Sequence, residues 1–178
     1  MKAIYFLAIA LSLLLFSCNS KPSLQKYFVD NQEKPGFMVV DISPSILNVD
    51  KAKLSVEQTK VLKSFSKMNI VAYKLDPKNA GQFDVERKKV NEILKDTINY
   101  QQLMKFGSGK NGASISYVGE DDHISEFILY GSKSENGFAV VRILGKDMNP
   151  ADAMTMLSVL KSSNIDMKQL EPLKAMMK

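Results

Sequence analysis

The sequence has 178 residues, with one cysteine, one histidine and no tryptophan; 45% of residues are apolar and 24% charged. These proportions exclude a disordered chain, a disulfide scaffold and a cysteine-based metal site, and they suit one domain of ordinary size. The formal charge is +5, but the basic residues alternate with acids, as in Glu86-Arg87-Lys88-Lys89 and Glu92. There is no concentrated basic stripe, so a nucleic-acid partner is not expected.

Met1-Lys2 is a minimal basic start, and Ala3 to Phe16 is an apolar run. At about 14 residues it has the length of a signal-peptide core and is short of the ~20 that span a bilayer. Leu15-Phe16-Ser17-Cys18 follows, and it resembles the bacterial lipobox, although Phe16 is bulkier than the residue usual there. The resemblance implies that the thiol is acylated, as with palmitate, and that cleavage leaves Cys18 as the first residue. Residues 1–17 are then a lipoprotein signal peptide, and residues 18–26 the acylated cysteine and its tether. Two or more acyl chains hold a protein firmly on a bilayer. Asn19-Ser20-Lys21-Pro22-Ser23 lacks both an acidic cluster and an Asp after the cysteine, which points to the periplasmic face of the outer membrane.

Leu24 to Asn31 reads as a short helix with Leu24, Tyr27 and Phe28 on one side, and Phe37 to Ile42 as a buried strand. Ser55-Val56-Glu57-Gln58 is a capping box. It opens a helix whose stripe is Val61, Leu62, Phe65 and Met68 and whose polar face carries Lys60, Lys63 and Lys67. Ile70 to Leu75 is the next strand, and Asp76 to Gly81 a loop. Asp84 starts a second long helix, with Val90, Ile93 and Leu94 inward and ion pairs available to Glu86, Arg87, Lys89 and Glu92.

The apolar period then changes to two. Tyr100 to Phe106, Ala113 to Val118, Ile124 to Tyr130 and Phe138 to Leu144 read as strands of an antiparallel meander. Asn149-Pro150-Ala151-Asp152 is a helix start with Ala153, Met156, Leu157 and Leu160 behind it. The expected fold is α+β, residues 27–162. A mixed or antiparallel sheet is built as βαβα, then a meander, then α, with helices packed on one face. Residues 163–178 form an amphipathic tail, interrupted at Pro172.

The order of these pieces resembles a family of small secreted or lipid-anchored Bacteroidetes proteins known as domain of unknown function 4252. The residues that carry it are Gly36-Phe37-Met38-Val39-Val40-Asp41-Ile42-Ser43, Tyr100-Gln101-Gln102-Leu103-Met104, Ile124 to Tyr130 and Val141 to Met148. The likeness runs from about Leu24 to Leu160. It implies fold and compartment, and no activity.

Motifs that carry chemistry are sparse. His123 beside Asp121 and Asp122 reads as a hairpin tip, because neighbouring residues at a strand entry point to different sides. Ser43-Pro44-Ser45 reads as a turn, and Gly107-Ser108-Gly109-Lys110 lacks the spacing of a phosphate loop. Asp41 and Glu126 are distant acids that could meet in space. No catalytic, metal or cofactor residue is assigned, and Cys18 is the one site, for lipid. Met148, Met154 and Met156 suit the core. Met167, Met176 and Met177, with Leu170 and Leu173, lie in the tail, where they could dock on the domain or on a partner. The expected function is a lipid-anchored, non-catalytic binding or interaction module of the envelope. The alternatives are a hydrolase-type enzyme using dispersed carboxylates and hydroxyls, or a carrier of a small apolar ligand. The expected partners are the membrane, through the lipid, and an envelope protein.

Overall fold

The computed structural model describes residues 21–48, 53–162 and 164–165. The leader, Cys18 and the tail from residue 166 onward lie outside the described residues. In chain order the elements are α1 (Leu24–Asp30), β1 (Phe37–Ile42), β2 (Leu47–Asn48), α2 (Val56–Ser64), β3 (Phe65–Lys74), α3 (Ala80–Leu94), β4 (Gln101–Ser108), β5 (Asn111–Glu120), β6 (His123–Lys133), β7 (Gly137–Met148), α4 (Pro150–Ser162) and β8 (Asn164–Ile165). The main sheet has the order β1-β3-β7-β6-β5-β4, and every pair is antiparallel. Two residues of the C-terminal segment, Asn164 and Ile165, pair with β2 in a small second sheet.

The α+β class and the meander are as expected. The placement of the helices is not: they cover both faces. α2 and α4 pack over Ile42, Phe65, Met68, Phe127 and Ile143. α1 and α3 pack over Val71, Tyr73, Ile128, Phe138 and Val140. The strands dictate this, because Ile70-Val71 and Phe127-Ile128 are adjacent buried pairs whose side chains point to opposite faces. A sheet with both faces apolar must be covered twice.

Two boundaries differ from the sequence reading. α2 stops at Ser64, so Phe65 and Met68 belong to β3. They share a face because Ser66 is an extra residue opposite the Gly145–Leu144 step of β7. That β-bulge produces a spacing of three, which imitates a helix. Lys67 is thereby a strand residue, paired with Asp41 at 2.7 Å. α3 begins at Ala80 rather than Asp84, which brings Phe83 into the core. The folded body also begins earlier than residue 27: Ser23 caps α1 by accepting the Lys26 amide, and Leu24 is fully buried. Met148 and Met156 are buried as expected and Met154 is exposed. The Leu160 side chain lies outside the described set.

Two buried charges order the α1–α3 layer. Arg142 on β7 donates to both Glu126 oxygens, at 2.9 and 2.6 Å, and to Gln25 Oε1 of α1 at 2.6 Å. Its guanidinium also lies 5.6 Å from the centre of the Phe28 ring. Glu86 of α3 is 2% exposed and accepts from Tyr27 Oη at 3.0 Å, Gln82 at 2.8 Å and Lys89 at 2.7 Å. Burial alone would raise its pKa; the three donors outweigh that and hold the carboxyl below its ordinary range. Burial, and after it the nearby Glu86 carboxylate, pushes the Tyr27 phenol up.

Arg142→Met strands the Glu126 carboxylate, so urea denaturation should show a loss of about 3 kcal/mol. Glu86→Gln tests the second charge. A depressed folded-state pKa means that Glu86 stabilises the fold above its unfolded value of 4.5. That contribution disappears as pH falls through the folded value. The stability gap between the natural protein and Glu86→Gln should therefore be constant near neutral pH and close on acidification, as read by urea midpoints across pH.

Candidate functional site

The chemistry-bearing residues of the sequence are brought together less than their spacing allows. His123 Nδ1 lies 3.0 Å from Asp147, but both side chains are well exposed. Asp147 adopts φ +50°, a left-handed conformation that Asp tolerates. Asp121 instead accepts from Tyr117 Oη at 2.5 Å, and that bond raises the Tyr117 phenol. Among the described residues no three His, Cys, Asp or Glu side chains converge on one point.

Asp41 and Glu126 lie on the same face of the sheet, yet each is held by its own cation. Asp41 pairs with Lys67 and accepts from Asn69, and the Lys67 hydrogen bond holds it below the ordinary carboxylate range. Glu126 is committed to Arg142. A general acid needs a raised pKa beside its partner base, and Asp41 is shifted the other way. Ser43 and Ser45 hydrogen-bond to each other, and Gly109-Lys110 is the two-residue turn of the β4–β5 hairpin.

A different feature comes from the sheet itself. On the α2–α4 side the register aligns three rows across all six strands. The first row contains Ile42, Met68, Ile143, Phe127 and Tyr117 and lies beneath the helices. The second contains Val40, Ile70, Val141, Leu129, Ile115 and Met104, several of them half-buried. The third reads Met38, Ala72, Ala139, Gly131, Ala113 and Phe106.

Among the described residues no side chain of α2 or α4 lines the trough over that third row. The small residues from Ala72 to Ala113, with Met38 at one side, leave a trough of about 810 Å³ along the sheet. Phe106, on the edge strand β4, is 55% exposed and stands outside the trough's lining. The trough was not legible from the strands singly, because it depends on which residues lie opposite one another. The one advance signal was the clustering of Ala and Gly at matching positions in β5, β6 and β7.

Two further concavities lie on the other side. One, of about 540 Å³, runs between α1 and α3 and includes Pro22, Lys26, Val85 and Lys89. The other, of about 460 Å³, lies between α3 and the β4–β5 hairpin, where Arg87, Lys95 and Lys105 surround Ser114 and Ser116. Among the described residues no helix is long and apolar enough to cross a membrane.

No curated protein and no solved structure matches the chain. The family model described as Domain of unknown function (DUF4252) matches residues 27–156, a span that runs from α1 into α4 and contains the whole six-stranded sheet. The chain belongs to that family.

Proposed function

We propose that this protein is a lipid-anchored, non-catalytic binding module of the cell envelope, which receives an apolar segment of a partner protein in the trough of its sheet. The open third row of the sheet carries this reading. It presents a continuous apolar surface whose centre is lined by Ala and Gly, so a polypeptide backbone can approach closely. Polar rims at Lys74, Lys133 and Glu135 border it. Apolar floors with polar margins are the usual anatomy of protein-binding surfaces.

Anchoring is supported by the leader of residues 1–17 and by the position of the single cysteine, residue 18, directly behind it. The Asn at position 19 suits the periplasmic face of the outer membrane. An acyl anchor confines the module to two dimensions, which raises its effective concentration toward a membrane-bound partner.

Two measurements follow. Radiolabelled palmitate should enter the natural protein and not Cys18→Ser, and that variant should move to the soluble envelope fraction; labelling or fractionation unchanged by the substitution would overturn the anchor. A photo-reactive phenylalanine analogue at Ala113, exposed in the trough, should trap one defined envelope protein in cells, and Ala139→Asp should abolish the adduct. The same analogue at Val56, 81% exposed on α2, should trap none. Equal adducts at both positions, or an internal adduct to the chain's own tail, would contradict the trough as a partner site.

A further inference from the structure

The place where the chain enters the domain is tightly fixed. Leu24 is fully buried and its amide donates to Tyr100 Oη at 3.0 Å, while Arg142 holds Gln25 one residue on. Lys21, Pro22 and Ser23 line a concavity of about 200 Å³ together with Asp96, Asn99 and Tyr100, in the turn that leads from α3 to β4. That turn is ordered by its own hydrogen bonds. Asp96 accepts from the amide of Ile98 at 3.2 Å and from the Asn99 side chain at 2.7 Å, and the Tyr100 amide returns to the Asp96 carbonyl at 2.8 Å. At its outer side stands Ile98, 85% exposed, above every other large apolar side chain among the described residues. A constrained turn that holds an isoleucine in water gains nothing for the domain itself.

The length of chain ahead of this point limits where it can be. Only residues 19–21 separate Cys18 from Pro22. Fully extended, they span at most about 14 Å between those two Cα atoms. The headgroup zone on one side of a bilayer is about 5–8 Å thick. A domain acylated at Cys18 therefore cannot stand clear of the surface, and its entry end must meet the headgroups.

We propose that the end of the domain formed by Lys21–Ser23 and the turn at 95–99 is its membrane-contacting surface, with Ile98 inserted at the boundary between headgroups and acyl chains. The proposal rests on acylation of Cys18. Its occupant is a phospholipid surface, argued from the short tether, the fixed entry and the exposed isoleucine. Charge is not the driver: Lys21, Lys26 and Lys95 are offset nearby by Asp30, Glu92 and Asp96. Contact should accordingly be insensitive to salt and should not require anionic lipid. Phe106, six residues beyond Tyr100, lies up to about 20 Å away toward the far end of β4, the end at which Gly112 lines the trough, which thus stands clear of the bilayer.

The chain contains no tryptophan, so one introduced indole reports its own position. The acylated full-length variants I98W and F106W would each be reconstituted into vesicles of phosphatidylethanolamine and phosphatidylglycerol carrying brominated acyl chains. The indole of I98W should be blue-shifted and quenched at least about twofold, and that of F106W should stay at its value in water. Vesicle-bound protein with I98W unquenched, or with both positions quenched alike, would overturn the proposed orientation. Protein that does not float with the vesicles at all would refute the anchor, and this surface with it.

Discussion

One guanidinium ties the first helix to the sheet. Arg142 projects from the middle of β7, saturates the Glu126 carboxylate on β6 and reaches Gln25 on α1, with Phe28 over its plane. An ion pair this buried carries a large desolvation cost, and it stabilises only while every member is in place. Its main contribution is therefore geometric: it sets where α1 lies. Because α1 begins directly after Ser23, it also sets where the chain leaves the domain.

The rest of the architecture is a consequence of strands that are apolar on both sides. β3, β6 and β7 bury adjacent residues, so each face of the sheet needs its own helices. α3 crosses one face between β3 and the far edge strand β4, while α2 and α4 take the other. α2 is only nine residues long, about 14 Å as a helix. A pair of this kind covers part of a six-stranded face and leaves the rest as the trough. The aromatic residues settle the opposite side at the same end. Tyr73 and Phe138 stack at 5.5 Å, with Phe37, Phe83 and Tyr130 around them. β7 begins so close to β3 that a Cβ on Gly137, at φ +116°, would overlap the Tyr73 carbonyl.

Much of this was legible in the sequence, and the failures have physical causes. The Ser55–Gln58 capping box is present on both sides of its exchange. The helix start at Asn149-Pro150 is held by Asp152 accepting the Asn149 amide at 2.8 Å. Periodicity misled where a bulge altered it: Phe65 and Met68 resemble helix positions because Ser66 is inserted between them. Burial of Glu86 was invisible because its three donors come from α1 and from elsewhere on α3. The one-face arrangement was a wrong reading of strands that are nearly continuous apolar runs, a pattern that signals cover on both sides. Helix starts, which depend on a few neighbouring residues, could be read from sequence. The trough, which depends on register across six strands, could not.

Two surfaces result, toward opposite ends of the strands: a rigid entry end at residues 21–23 and an apolar cradle up to about 20 Å beyond it. Both depend on α1 being an integral part of the domain rather than a loose extension of the residues before it. Native-state hydrogen exchange of the α1 amides measures this most directly. Protection of the Tyr27 and Phe28 amides comparable to that in the centre of β7 is the expected result. Exchange of those amides at rates near an unstructured peptide, with β7 still protected, would contradict the clamp and everything built on it.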